Sequence, residues 1–461
     1  MTTAKDGVVC LMRGARQVLG KHRVACVAAA ALLTGTLVGC GGASGGDSQS
    51  GADGDASANA VDLTVYIDSN PSSLALWDRI IAKYKEVNPN VNLSYETHPA
   101  GGEGDNLVKT RLSTGDMSDM FWYNSGSLLQ ALSPDNTLVD LSDQPWVESV
   151  DENFIKSVAT DSGIYGAPAG SSFAGVIIYN KTIYKDLGLE IPRTWDEFMA
   201  NNQKIKDSGL TPVLQSYADT WTSQLFVLGD FYNVTAQDPE WAEKYTAGKV
   251  KYADAPAVEG FKHLEEIYKA GYLNDDFASA NLDSAMRKLA EGEAAHYPMV
   301  TMNAAPVITE NYPESDEEIG SFPIPGNDPE KNGATTWMPS GLYIPKTTEG
   351  EKLEAAKDFL NWFVSVEGCE VTAEAASVSG PFMVDKCEIP ESAPTLVKDL
   401  QPYYDEGKVG LALEFISPIK GPALEQITVE VGSGIRGAQD GAALYDEDVK
   451  KQAQQLGIEG W

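Results

Sequence analysis

Two stretches of this chain imitate catalytic motifs, and neither has the surroundings its chemistry needs. Gly432-Ser433-Gly434-Ile435-Arg436-Gly437 spells G-x-G-x-x-G. A dinucleotide site also requires a following strand and an acidic residue about 20 positions on, within a βαβ unit. The residues after Gly437 read as one helix running to the end of the chain. Ser417-Pro418-Ile419-Lys420 spells S-x-x-K, but Pro418 disturbs the helix that would seat such a serine over its lysine, and neither S-D-N nor K-T-G occurs. His98, His263 and His296 stand far apart, without H-E-x-x-H or C-x-x-C spacing, so no metal is expected. The phosphate-cradling G-x-x-x-x-G-K-S/T pattern is also missing, so no cofactor is expected and any ATP hydrolysis belongs to a partner. The remaining chemistry is that of holding a molecule. Tyr123-Asn124-Ser125 sets a flat ring beside an amide and a hydroxyl, and Ser69-Asn70 offers a second polar pair.

Both clusters follow stretches that read as strands. Leu63 to Asp68 alternates and is rich in β-formers, and Asp119 to Trp122 reads as a short strand. Between them Leu74, Trp77, Ile80, Ile81 and Tyr84 fall at helical spacing, a second strand spans Val91 to Glu96, and a helix is expected around Leu107 to Leu112. Strand–helix–strand alternation argues for an α/β layer with a parallel sheet. In such sheets ligands sit beyond the carboxyl ends of the strands, where Tyr123 and Ser69 fall. Trp122 should then point the other way, into the core. Ser69-Asn70-Pro71 is equally ordinary turn chemistry. Further on, Gly175 to Tyr179 reads as a buried strand, and Thr194-Trp195-Asp196-Glu197 as a capping box opening a helix that ends at Gly209. Helices are also expected from Asp254 to Gly271 and from Lys352 to Val366. The tail after Ser392 reads as mostly helical.

The chain has 461 residues, 43% of them hydrophobic, with 34 Lys plus Arg against 67 Asp plus Glu and a net charge of −33. That length supports two lobes with separate cores. Such acidity excludes nucleic acid as a partner, because phosphate binding needs clustered Lys and Arg. At the N-terminus, Arg13, Arg16, Lys21 and Arg23 precede an apolar run from Val24 to Val38 that is short for a bilayer span and suited to a signal peptide. It closes on Leu37-Val38-Gly39-Cys40, which resembles a bacterial lipobox. Residues 1–39 are therefore expected to be a lipoprotein signal peptide, Cys40 the lipidated residue, and 40–60, rich in Gly, Ser and Asp, a flexible tether. Met12 is an alternative start. Cleavage removes Lys5, Arg13, Arg16, Lys21 and Arg23 but only Asp6, leaving a still more acidic body. Cys369 and Cys387 then remain, and outside the cell they are expected to form a disulfide, the alternative being two buried free thiols.

Several stretches carry a family likeness. Gly163-Ile164-Tyr165-Gly166-Ala167-Pro168, Ile178-Tyr179-Asn180-Lys181, Leu187-Gly188-Leu189 and Pro192-Arg193-Thr194-Trp195-Asp196-Glu197-Phe198, in that order, resemble the extracellular solute-binding proteins of ABC transporters, in the carbohydrate-binding branch that includes the maltose-binding protein (family 1). Leu112-Ser113-Thr114-Gly115-Asp116, Ser118-Asp119-Met120-Phe121, Gly292-Glu293-Ala294-Ala295 and Ala355-Ala356-Lys357-Asp358-Phe359-Leu360 leading to Glu367-Gly368 agree. The likeness covers nearly all of residues 61–461. It implies a two-lobed α/β fold of the periplasmic-binding-protein type (type II), with discontinuous lobes joined by hinge crossovers. The expected lobes are 61–171 with 323–343, and 172–322 with 344–461, with crossings near Ser171–Phe173, Phe322–Ile324 and Leu342–Pro345. The implied function is that of a monomeric, lipid-anchored receptor on the extracytoplasmic face of the cell membrane. It would close on an oligosaccharide or another neutral sugar and deliver it to the transmembrane permease subunits of an ABC importer with a separate ATPase. The alternatives are the same fold binding a non-sugar solute (a peptide, polyamine or polyol phosphate) and an exported glycoside hydrolase working through two carboxylates.

A sugar has apolar C–H faces and a rim of hydroxyls, so rings suit its faces and Asn or Ser its rim. On this reading Tyr123, Asn124, Ser125, Ser69 and Asn70 bind ligand. The resemblance adds Trp221, where relatives place a stacking aromatic, and Met302 with Asn303, where relatives carry a cleft aromatic. Trp337 stands beside an expected crossing, and Phe382 lies in Ser379-Gly380-Pro381-Phe382. Trp77, Trp195 and Trp362 are expected in the core. No Arg or Lys is expected beside these rings except Arg436, which favours an uncharged solute.

Overall fold

The computed structural model describes residues 60–99 and 102–461; the signal peptide, Cys40 and nearly all of the tether lie outside the described residues. The strands, in chain order, are β1 (Val61–Asp68), β2 (Val91–His98), β3 (Met120–Tyr123), β4 (Gly166–Ala169), β5 (Phe173–Asn180) and β6 (Thr211–Val213). They continue with β7 (Ala294–Val300), β8 (Ile319–Pro323), β9 (Ala334–Trp337), β10 (Ser340–Tyr343) and β11 (Val409–Leu411). Two sheets result, one ordered β2-β1-β3-β10-β4 and the other β11-β9-β5-β7-β6, with β8 also paired to β5.

The first sheet starts as the parallel layer read from the sequence: β1 pairs in parallel with β2 and β3. The helix Pro71–Val87 connects β1 to β2, and Gly102–Thr114 connects β2 to β3. The sheet then turns antiparallel, because β10 enters from the opposite end between β3 and β4. In the second sheet β5 is antiparallel to β7 along one edge. Its other edge is shared in succession by β9, at Phe173 to Gly175, and β8, at Val176 to Asn180. The period-2 alternation of β5 divides two cores: Ile177 and Tyr179 pack with Phe198, Phe261 and Phe322, while Val176 and Ile178 pack with Tyr297, Met299 and Ile308.

Local signals act where they were read. The Thr194 hydroxyl accepts from the Glu197 amide, and the Glu197 carboxylate accepts from the Thr194 amide, capping the helix Trp195–Asp207. Gly271, with φ of 64°, ends the helix Glu259–Ala270 in the left-handed region. That helix starts at Glu259, later than the expected Asp254, since residues 251–258 form turns. The helix expected from Lys352 to Val366 runs from Gly350 to Phe363, and after Val364–Ser365 a second helix, Val366–Ala375, begins with the Ser365 hydroxyl as its cap. Trp77 and Trp195 are buried, and Trp362 is half-buried against the first core.

The packing corrects the expected lobe limits at two stretches. β8 and β9 both belong to the second sheet, so residues 323–337 do not join the first lobe. The helices Gly350–Phe363 and Val366–Ala375 contribute Phe359, Leu360, Phe363 and Cys369 to the first core, although 344–461 was expected to lie wholly in the second lobe. The chain crosses between sheets at Gly170–Ser172, between β4 and β5, as read near Ser171, and at Met338–Pro339, between β9 and β10. Phe322 and Leu342, expected at crossings, sit inside β8 and β10 and are held by ladder pairing. A third passage follows Ala375, and its Cys387 is disulfide-bonded back to Cys369 in the preceding helix.

Candidate functional site

A cleft of about 900 Å³ opens between the lobes and is lined from both. The first lobe supplies Trp122, Asn124 and Ser125, from the end of β3 and the turn beyond it. The second supplies Phe173 and Trp337 from facing strands, Gln224 and Met302 from helical segments, and Glu414, Phe415 and Lys420 from the chain after β11. Both crossings line it as well, through Gly170, Ser171, Met338 and Pro339. Phe382 and the Ser377 hydroxyl, which has no partner among the described residues, come from the third passage.

The aromatic wall is built by strand register. Phe173 and Trp337 are cross-strand partners on β5 and β9. Their rings stack with centroids 5.8 Å apart and planes 8° from parallel. The Trp337 indole N–H donates to Glu414 Oε1 at 3.1 Å, and Glu414 Oε2 receives Lys420 Nζ at 3.1 Å, so the ring is fixed by an acidic group that is itself neutralised. Gly175 is required here, because a Cβ on it would lie 2.9 Å from Trp337 Cζ3.

Of the residues read from the sequence, Asn124, Ser125, Met302, Trp337 and Phe382 line the cleft. Met302 is 45% exposed. The Ser125 hydroxyl donates to the Pro339 carbonyl at 2.9 Å, tying the turn after β3 to a crossing. Tyr123 is corrected: it is 2% exposed, belongs to the first core beside Phe121, and its hydroxyl has no partner among the described residues. Burial pushes its phenol pKa up. Trp122 takes the position expected of Tyr123, since successive side chains on a strand face opposite ways and the parity of β3 is reversed from that read. Ser69 and Asn70 are exposed at the entry to the helix Pro71–Val87 and do not line the cleft. There the Asn70 amide donates to Asp68 Oδ1 at 2.9 Å. Trp221 is half-buried against the core that holds Trp337, and Gln224, three residues on, reaches the cleft in its place. Asn303 lies outside it.

The charge expectation is also corrected. Arg436 is away from the cleft, its Nε donating to Glu430 at 2.7 Å. Lys109 and Lys420 line the cleft together with Glu414 and Glu425. Sequence reading missed Phe173, Phe415 and Gln224. Phe173 had a signal, since it stands at an expected crossing and opens β5 with a ring; Phe415 had none. Among the described residues no cluster of three or more His, Cys, Asp or Glu is placed to hold a metal. His263 and His296 are buried, and desolvation holds both rings neutral with pKa values of about 3.

Two α/β lobes joined by short crossings, with a ring-lined cleft between them, define a two-lobed binding protein of the kind that closes on a solute. A family model for bacterial extracellular solute-binding proteins matches residues 68–368, and the chain belongs to that family. The multiple sugar-binding protein of Streptococcus mutans is 24% identical over 311 residues, covering 66% of this chain and 71% of the relative. The melibiose/raffinose/stachyose-binding protein MelE of Bacillus subtilis is 21% identical over 339 residues, covering 71% of this chain and 76% of its own length. Among solved structures, the apo form of RafE from Streptococcus pneumoniae superposes with a TM-score of 0.70 at 19% identity, over 87% of this chain and 98% of that one. No helix among the described residues is long and apolar enough to cross a membrane.

Proposed function

We propose that this protein is the lipid-anchored, extracytoplasmic receptor of an ABC importer. It captures a sugar or oligosaccharide by closing its lobes, then presents it intact to the permease, whose ATPase is a separate subunit. The observation that carries the reading is the cleft wall. Trp122 on one lobe and Phe173 and Phe415 on the other offer flat apolar faces, with Trp337 stacked on Phe173, while Asn124 and Gln224 supply the polar groups a hydroxyl rim needs. The sugars named for the relatives agree with it. A solute that touches rings on both lobes does so fully only when they close, so binding shifts the population toward the closed form. Lys109, Lys420, Glu414 and Glu425 bring both signs to the cleft, which favours neither an anionic nor a cationic solute.

The test is a thermal-shift screen of the chain from Cys40 onward against raffinose, melibiose, stachyose and chitin oligosaccharides, since a ligand that binds only the folded form raises its melting temperature. At least one sugar should stabilise the protein and be recovered uncut from the complex. A flat response to every sugar, or recovery of hydrolysed sugar, would overturn the reading.

A further inference from the structure

We propose that the loop closed by the Cys369–Cys387 disulfide is a tether that positions the cleft wall and the lobe crossing, so that solute affinity depends on the bond being closed. The affinity part rests on the solute-binding reading; the positioning part does not.

Cys369 is anchored in the first lobe, buried in the helix Val366–Ala375. The bond to Cys387 spans 18 positions. Between Ala376 and Pro394 the chain has no helix or named strand, yet Ser377, Ser379 and Phe382 in that stretch line the cleft. The same stretch is bonded to both lobes. Toward the second, the Ser172 amide and hydroxyl both donate to the Pro381 carbonyl, at 2.8 and 3.0 Å, and the Thr301 hydroxyl donates to the Ser379 carbonyl at 2.7 Å. Toward the first, the Asp151 amide donates to Met383 O at 2.9 Å and the Asp385 amide to Ser149 O at 2.7 Å. At the crossing itself, the Ser379 amide donates to Ser171 Oγ at 3.1 Å.

The loop is also drawn tight. A Cβ on Gly380 would lie 2.6 Å from the Ser172 carbonyl, so only glycine permits that approach. Lys386, next to the bond, holds a left-handed φ of 67°, a conformation uncommon for residues other than glycine. An irregular segment bonded to both lobes keeps one geometry only if its ends are fixed, and the disulfide fixes them by removing most of the open loop's conformations. Phe382 is thereby held at the cleft, and its bridge to Ser171 ties that position to the crossing between β4 and β5.

The experiment compares the chain from Cys40 onward with its Cys369→Ser/Cys387→Ser double variant. In ligand-free protein, amide exchange across residues 377–385 should speed up roughly tenfold or more, while β1 and β5 keep their protection. With raffinose as the probe, Kd should rise roughly tenfold, and Phe382→Ala should weaken binding much less in the double variant than in the bonded chain. If the double variant does not fold, both readouts are taken on the bonded chain after dithiothreitol reduction, in which the dithiol gives two electrons to the bond and closes to its own cyclic disulfide, and again after reoxidation. Loss on reduction and recovery on reoxidation is the expected result. Unchanged exchange across 377–385 overturns the proposal. So does an unchanged Kd, or a Phe382 effect that is fully additive. If raffinose fails to bind the bonded chain, the exchange measurement alone decides the tether, and the failure bears only on the solute reading.

Discussion

At the scale of single residues, Trp122 and Tyr123 make the sharpest contrast: as neighbours on β3, Trp122 is half-buried against the first core and lines the cleft, while Tyr123 lies inside that core. Trp122→Ala removes a cleft ring and should weaken sugar binding by about 1–3 kcal/mol, measured by calorimetry with a sugar that stabilises the protein. Tyr123→Phe should leave that affinity within about twofold while keeping or raising stability by up to about 1 kcal/mol, because it deletes a buried hydroxyl that has no partner. The reverse result, with Tyr123→Phe costing affinity and Trp122→Ala costing none, would restore the parity read from the sequence. Trp337 is less clean as a probe. It is 6% exposed and stacked on Phe173, so Trp337→Ala should lower stability and affinity together.

At the scale of elements, what the sequence made legible was whatever is settled locally. The Thr194 capping box, the left-handed glycine ending the helix at Gly271 and the apolar run of β5 are decided within a few residues, and each lies where it was read. Thr194→Ala should therefore cost about 1 kcal/mol in denaturant unfolding, with the Glu197 carboxylate losing its reciprocal role. Sheet membership was not legible. Nothing local distinguishes β9, which pairs with β5, from β10, which pairs with β3 and β4, although only Met338 and Pro339 separate them. The crossings were displaced for that reason. The cleft was read in part for the same reason. Strand ends and polar turns marked Asn124 and Ser125, and a place beside an expected crossing marked Trp337. Phe173 stood beside an expected crossing but meets Trp337 only through strand pairing, and Phe415 becomes a site residue only because the fold brings the chain after β11 to the cleft. Side-chain parity on a four-residue strand such as β3 is set by its partners, since four residues are too few to show a pattern.

At the scale of the whole molecule, the second lobe carries ionisable groups in its interior, and these give the fold a defined response to pH. Asp230 is buried, bonded to the Asn233 side-chain amide, and desolvation lifts its carboxyl pKa to about 8. The folded chain thus holds a proton that the unfolded chain has lost above about pH 4, so stability falls as pH rises toward 8. His263 and His296 act in the opposite sense. Burial lowers both to about 3 from 6.5, the unfolded chain binds protons first, and stability falls as pH drops through that window. Between about 4 and 6.5 two histidines oppose one carboxyl, and above 6.5 the carboxyl acts alone, so these groups together place the maximum near pH 6.5. Asp230→Asn, with its amide oxygen turned to Asn233, should flatten the alkaline arm, worth up to about 2 kcal/mol between pH 6.5 and 8. His263→Phe keeps a ring stacked on Trp195 while removing two nitrogens that lack partners among the described residues, and should flatten the acid arm. Melting curves of the three proteins from pH 4 to 8 read both arms at once. An Asp230→Asn chain that melts with the parent's alkaline slope would mean that the carboxyl is ionised in the fold and that the second lobe hydrates it.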